Sequence, residues 1–196
     1  MKLRVLGACV SLLACAAAQG ATAQGGATDA LDEVMHSLAQ RRHGQVSFVE
    51  QHFLAMLKRP VESYGELIYD APGRLEKRTI EPRPETLVVD GERVTVQRGR
   101  RGHTIDLKAY PQILPFVESI RATLAGDRAA LEKLFRLDFA GSEERWTLAL
   151  TPLDANLAKT VAEIRIDGSR DELSRVEIRQ SDGDRSLMTL RAHSGR

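Results

Sequence analysis

Five histidines, His36, His43, His52, His103 and His193, are the side chains best suited to hold a metal or move a proton. None stands at ligand spacing to Cys, Asp or Glu in a metal-binding motif, so they read as surface histidines. Glu177, Asp182 and Asp184 lie near one another in the chain. They suggest an acid pair or a calcium corner, yet acids flanking an Asp-Gly turn are usually turn formers. No Gly-x-Ser-x-Gly elbow is present and no Ser or Cys is placed as a nucleophile. No Gly-x-x-x-x-Gly-Lys-Ser/Thr loop is available to cradle a nucleotide phosphate. These patterns imply no enzyme, no cofactor, no metal and no ATP-driven step. The run Arg98-Gly99-Arg100-Arg101-Gly102-His103 is the densest basic stretch. It reads as a solvated hairpin tip, with contact to a membrane or a partner protein as the alternative.

Both cysteines, Cys9 and Cys15, fall in an N-terminal segment with its own logic. Lys2 and Arg4 precede an apolar run from Val5 to Ala18, and Ala21-Thr22-Ala23 then offers a small-residue cleavage site, the pattern of a secretory signal over residues 1–23. Leu12-Leu13-Ala14-Cys15 also approximates a lipobox, in which Cys15 would be acylated and anchor the chain to a membrane. Cleavage after Ala23 fits the spacing better. It would leave a mature chain without cysteine, and hence without disulfides, in an oxidising compartment.

Removing 23 of the 196 residues leaves 173, which suits a single domain over residues 24–196. The chain has 28 basic and 27 acidic residues; loss of Lys2 and Arg4 leaves 26 against 27, a net charge of −1. With the signs interleaved and few aromatics, nothing favours a nucleic acid as partner. No later window is apolar enough to span a bilayer.

Hydrophobic periodicity supplies the elements. Leu31, Val34, Met35 and Leu38 recur at helical spacing, predicting a helix over about Asp29–Arg42 capped by Thr28 or Asp29, after a small-residue tail. The period then shortens to two. Strands are expected over 45–53, 61–69, 74–80, 86–89, 93–97, 103–108, 145–151, 161–167, 173–180 and 184–193, with a short one at 135–139. Asp90-Gly91, Asp167-Gly168 and Asp182-Gly183 mark turns. Between Tyr110 and Phe135 the helical period returns, as a helix bearing Ile113, Val117, Ile120 and Leu124, a stop at Gly126, and a second helix capped by Asp127. The expected fold is mainly β with α: an incomplete, curled antiparallel β-barrel of ten or eleven strands, covered by an N-terminal helix and an inserted helical pair.

Alternation places Phe48, Leu67, Tyr69, Leu75, Leu87, Val89, Val94, Val96, Ile105, Leu107, Trp146, Leu148, Leu150, Ile164, Ile166, Val176, Ile178, Met188 and Leu190 on the inner face. Such a face looks the same whether it meets protein or lipid, so a packed core and a ligand cavity remain equally open on this basis.

Several stretches in order resemble the periplasmic lipoprotein carrier LolA and its relatives, above all the divergent LolA-related group. They are Phe48-Val49-Glu50-Gln51-His52-Phe53, then Ser63 through Tyr69 with Ala71-Pro72-Gly73-Arg74-Leu75, then Pro84 through Gly91, Trp146 through Pro152, and Ile178 through Ser186. The resemblance implies a half-barrel whose cavity holds acyl chains of lipoproteins or related lipids and carries them across the periplasm toward the outer membrane, between a donor at the inner membrane and an acceptor at the outer. It implies a monomer. A membrane-attached LolB-like acceptor, or a carrier or accessory enzyme for a polyene or other envelope lipid, are the alternatives. By the same resemblance Phe48, Leu67, Tyr69, Leu75, Leu87, Val89, Val94, Val96, Ile105, Leu107, Trp146, Leu148, Leu150, Ile164 and Ile166 would line the lipid site, and Ile113, Phe116, Val117, Ile120 and Leu124 would form the lid. The family's arginine before the proline that opens the third strand, which bonds to the lid, is replaced by Ala71, and Lys77 stands near a position usually aromatic. Arg74 and Arg78 are the candidates to replace that latch.

Overall fold

The computed structural model describes residues 23–109 and 114–192. The predicted signal up to Thr22, both cysteines, Ile113 and His193 lie outside the described residues, as do the side chains of 23–27, Pro115 and Phe116. In chain order the elements are α1 (Ala23–Gln40), β1 (His43–Phe53), β2 (Val61–Asp70), β3 (Arg74–Glu81), β4 (Glu85–Asp90), β5 (Arg93–Arg98) and β6 (Arg101–Asp106). A single 3-10 turn (Leu107–Ala109) leads to α2 (Leu114–Leu124) and α3 (Arg128–Leu134). The chain ends with β7 (Phe135–Ser142), β8 (Arg145–Pro152), a one-turn α4 (Ala155–Ala158), β9 (Val161–Ser169), β10 (Glu172–Gln180) and β11 (Arg185–Ala192).

All eleven strands form one antiparallel sheet in the order β6-β5-β4-β3-β2-β1-β11-β10-β9-β8-β7. The sheet is curled and not closed, with β6 and β7 as its free edges. The first and last strands pair at its centre, Phe48 opposite Leu190, so the two halves of the chain fold outward from one seam.

Several local expectations shift. The N-terminal helix covers the stretch expected to be a tail, and Thr28 and Asp29 lie inside it rather than capping it. Arg41 follows the helix and is drawn to Asp171 at 2.7 Å and Glu172 at 3.3 Å, tying the end of α1 to the β9–β10 turn. The basic run is mostly strand: Gly99, at φ 58°, and Arg100 make the turn, while Arg98 and Arg101 pair across β5 and β6. Asp167-Gly168 is not a turn, since β9 continues to Ser169 and Arg170 turns the chain with φ 52°. Gly168 is needed for another reason. A Cβ there would stand 2.2 Å from Cζ2 of Trp146, so the glycine leaves the room that the indole occupies. The α4 turn, which alternation gives no sign of, is nucleated by Asp154, whose carboxylate accepts from the backbone N–H groups of Asn156 and Leu157, both at 2.9 Å.

The inner face carries two packed clusters. Under α1, Leu31, Val34, Met35 and Leu38 meet Trp146, Leu148, Leu150, Ile164 and Ile166 of β8 and β9, all buried. Under α2, Leu124 meets Tyr69, Leu75, Val89, Val94 and Leu107 of the other half. The outer face is charged instead, with Glu76 bonded by Arg74 and Arg78, and Glu177 by Arg179.

Candidate functional site

Each residue proposed to line the site sits on the inner face by strand register. Phe48 of β1 opposes Gly65 of β2 and Leu190 of β11, and from there Leu67, Tyr69, Leu75, Leu87, Val89, Val94, Val96 and Ile105 share one side of β2 to β6. Leu107 lies just beyond β6 in the 3-10 turn, yet is fully buried. The structure divides this set. Trp146, Leu148, Leu150, Ile164 and Ile166 are sealed beneath α1, while Leu67, Leu87, Val96 and Ile105 are only half-buried at the margin of the cluster beneath α2.

Of the residues expected to form a lid, those with described side chains meet the second half. Val117 and Ile120 are half-buried and Leu124 is buried. Ile120 packs against both clusters, so it stands at the junction between the fixed half and the α2 half. The back of the same helix is buried as well. Ser119, Ala122 and Thr123 are buried there, and Thr123 Oγ1 donates to the Ser119 carbonyl at 2.7 Å.

Because α2 rests on the sheet, little of the hollow stands open. The apolar cavity at this seam measures about 80 Å³ and is lined by Val46, Leu67, Tyr69, Leu124, Leu173 and Leu190, with Arg41, Asp171 and Glu172 at its rim. Ligand pockets begin near 300 Å³. The inner face at this seam is therefore largely filled by side chains, with Leu124 of α2 among those around the small cavity.

Neither Arg74 nor Arg78 holds the helix down, because both point to the outer face, where Arg74 bonds Asp70 and Glu76 and Arg78 bonds Glu76. The contact runs the other way. Arg121, on α2 itself, donates through Nη1 to the Gly91 carbonyl at 3.2 Å, at the turn between β4 and β5, and to Glu118 at 2.8 Å. Its guanidinium lies over Gly73, where a Cβ would come within 2.8 Å of Nη2. Its buried Nε–H has no hydrogen-bond partner among the described residues. Arg121 therefore joins α2 to the β4–β5 turn through one carbonyl, with one donor unused among the described residues.

A polar cluster interrupts the same inner face. Glu50 shares the parity of Phe48 and is 6% exposed. It accepts from Ser186 Oγ at 2.9 Å, Ser63 Oγ at 3.4 Å and the Lys77 ammonium, with His52 Nε2 at 3.3 Å. Burial pushes the Glu50 carboxyl upward, but the hydrogen bonds and charges of His52 and Lys77 outweigh it and hold the group down at about 2, fully ionised. Selecting apolar residues left Glu50 and Lys77 out of the expected inner face, although their alternation with Phe48 and Leu75 carried the signal, and Lys77 stood out only as a departure near a usually aromatic position. His52, expected at the surface, is half-buried beside Glu50, whereas His36 and His103 are exposed. The acids at the last turn are indeed structural: Asp182 accepts from the Asp184 backbone N–H at 3.0 Å, and Asp184 from the Ala55 backbone N–H at 2.8 Å. Among the described residues no group of three His, Cys, Asp or Glu side chains is placed to hold a metal, and no helix is long and apolar enough to cross a membrane.

An open, curled antiparallel sheet with an apolar inner face under helices defines a half-barrel fold of the lipoprotein-carrier type. The chain belongs to the outer membrane lipoprotein carrier protein LolA-like family, whose profile matches residues 16–195. No curated protein matches it significantly. Solved structures of similar fold include a LolA superfamily protein from Nitrosomonas europaea (11% identity, 84% of this chain and 91% of that one, TM-score 0.43). Lipoprotein LppX of Mycobacterium tuberculosis is another (9% identity, 86% and 97% covered, TM-score 0.44). MucB of Pseudomonas aeruginosa, in its complex with MucA, is a third (16% identity, 87% and 58% covered, TM-score 0.46).

Proposed function

We propose that this chain is a periplasmic carrier that takes acyl chains of lipoproteins or related lipids onto the inner face of its sheet and moves them toward the outer membrane. The single observation that supports this reading most is the unequal covering of that face. One half is sealed by α1, while the other lies under a short helix held by one latch, with half-buried Leu67, Leu87, Val96 and Ile105 at its margin.

Magnitudes decide whether such a site can exchange its cargo. Lifting α2 exposes Val117, Ile120 and Leu124 with their partners, a cost of roughly 5 kcal/mol at about 1.5–3 kcal/mol per fully buried aliphatic side chain. Burying an acyl chain of about 14 methylenes returns about 11 kcal/mol at about 0.8 kcal/mol each. One chain can therefore displace the helix and leave a modest surplus, so that binding stays reversible without an energy source.

Gentle purification of the exported protein followed by solvent extraction and mass spectrometry tests the proposal. A stoichiometric acyl compound is the expected outcome. Protein that comes off clean, and that also fails to take up lipid from detergent or vesicles, would refute the carrier reading.

A further inference from the structure

A row of inward side chains crosses β1 to β5 at Val46, Leu67, Lys77, Leu87 and Val96, and Lys77 is its only charged member. The ammonium lies 5.0 Å from the centre of the Phe48 ring and bonds Glu50, with about a quarter of the side chain, 27%, still exposed. Glu50 is well supplied without it, since Ser186, Ser63 and His52 also reach its carboxylate. Lys77 has three N–H donors and gives only one of them to Glu50. Further along the same face Arg98, paired with Glu85, and Arg101 follow two and three strands away.

A hydrocarbon laid along Leu67, Leu87 and Val96 must pass over this ammonium and strip its water. Nothing apolar can replace that water, so a cargo without a polar group is penalised at the centre of the floor. An anionic group set against the two spare donors replaces the water and adds a charge-assisted hydrogen bond. Glu50 meanwhile fixes where the ammonium sits.

Resting on the carrier reading, we propose that Lys77 is an anion-recognition point on the floor of the site. The cargo is then an amphiphile whose carboxylate or phosphate head meets Lys77 while its chain runs under α2.

The test compares dodecanoic acid, dodecyl phosphate and methyl dodecanoate as competitors of a neutral fluorescent lipid bound to the full mature chain. The acid or the phosphate should compete at least tenfold better than the ester, and the better of the two names the head group. Lys77→Met should bring both anions down to the level of the ester without moving the ester, and Lys77→Arg should keep the preference. Lys77→Gln, which retains a donor for Glu50, serves if the methionine variant does not fold. Equal competition by acid, phosphate and ester in the wild type overturns the anion site and leaves the carrier reading intact. A preference that survives Lys77→Met and Lys77→Gln overturns the assignment to this residue. Failure of the neutral lipid and all three competitors to bind overturns both.

Discussion

Glu50 shows how one side chain can serve fold and site together. A carboxylate this buried is tolerated only because it is held by several donors, and its depression from 4.5 to about 2 means that the folded state binds the ionised form more tightly than the unfolded chain does. Its contribution is therefore complete above pH 4.5 and disappears as pH falls from there toward 2. By linkage a depression of that size corresponds to about 3 kcal/mol, and to less here because Lys77 and His52 keep a water-facing side. Glu50→Gln should lower the melting temperature at pH 7 by about 5 °C. The gap between variant and wild type should then narrow as pH drops below 4.5. The difference between the two melting curves isolates this group from Glu76 and Glu177, which arginines on the outer face also hold low against the opposing effect of their burial. A constant gap down to pH 2.5 would show that the ion pair is not its source. None of this was visible as chemistry in the sequence, because a Glu, a Lys and two serines from four different strands meet only once the register is set.

At the scale of elements, the proposed carrier cycle requires α2 to hold the sheet firmly enough to exclude water and loosely enough to leave. Ile120 and Arg121 divide that work, the first by packing on both clusters and the second by bonding the Gly91 carbonyl. Ile120→Glu puts a charge at the junction, so lipid uptake, read by displacement of a fluorescent probe, should weaken about tenfold while far-ultraviolet circular dichroism keeps its strand signal. Arg121→Ala should act oppositely and speed both uptake and release, because it frees the latch without placing charge on the apolar face. Unchanged uptake in both variants would remove α2 from the path. The helix itself was legible from Val117, Ile120 and Leu124, as were all eleven strand positions, the short one at 135–139 included, because a half-buried sheet and an amphipathic helix print their periods directly. Two things were not. The direction of the latch depends on which face Arg74 and Arg121 take up, and the role of Gly168 depends on a Trp twenty-two residues away in sequence but on the neighbouring strand.

Across the whole molecule the central seam of β1 and β11 lies between the cluster under α1 and the cluster under α2, and the proposed carrier cycle requires the second to open while the first stays packed. The α1 half buries Trp146 at 1% exposure under Leu31, Val34, Met35 and Leu38, with its indole N–H donated to the Arg170 carbonyl at 3.0 Å. The α2 half ends in the free edge β6, whose side chains are mostly exposed. Local stability follows such differences in burial, so β8, β9 and β10 should exchange their amide hydrogens only on global unfolding, while α2, β5 and β6 exchange through a smaller opening. Lipid bound in place of α2 should leave α1 seated. Trp146, the only tryptophan in the chain, then becomes an internal control. Its emission should stay fixed on loading, while exchange in α2 rises and exchange in β4 and β5, newly covered by lipid, falls. A shift in Trp146 emission on loading would mean that cargo enters beneath α1 instead, and that the α1 half is the one that moves.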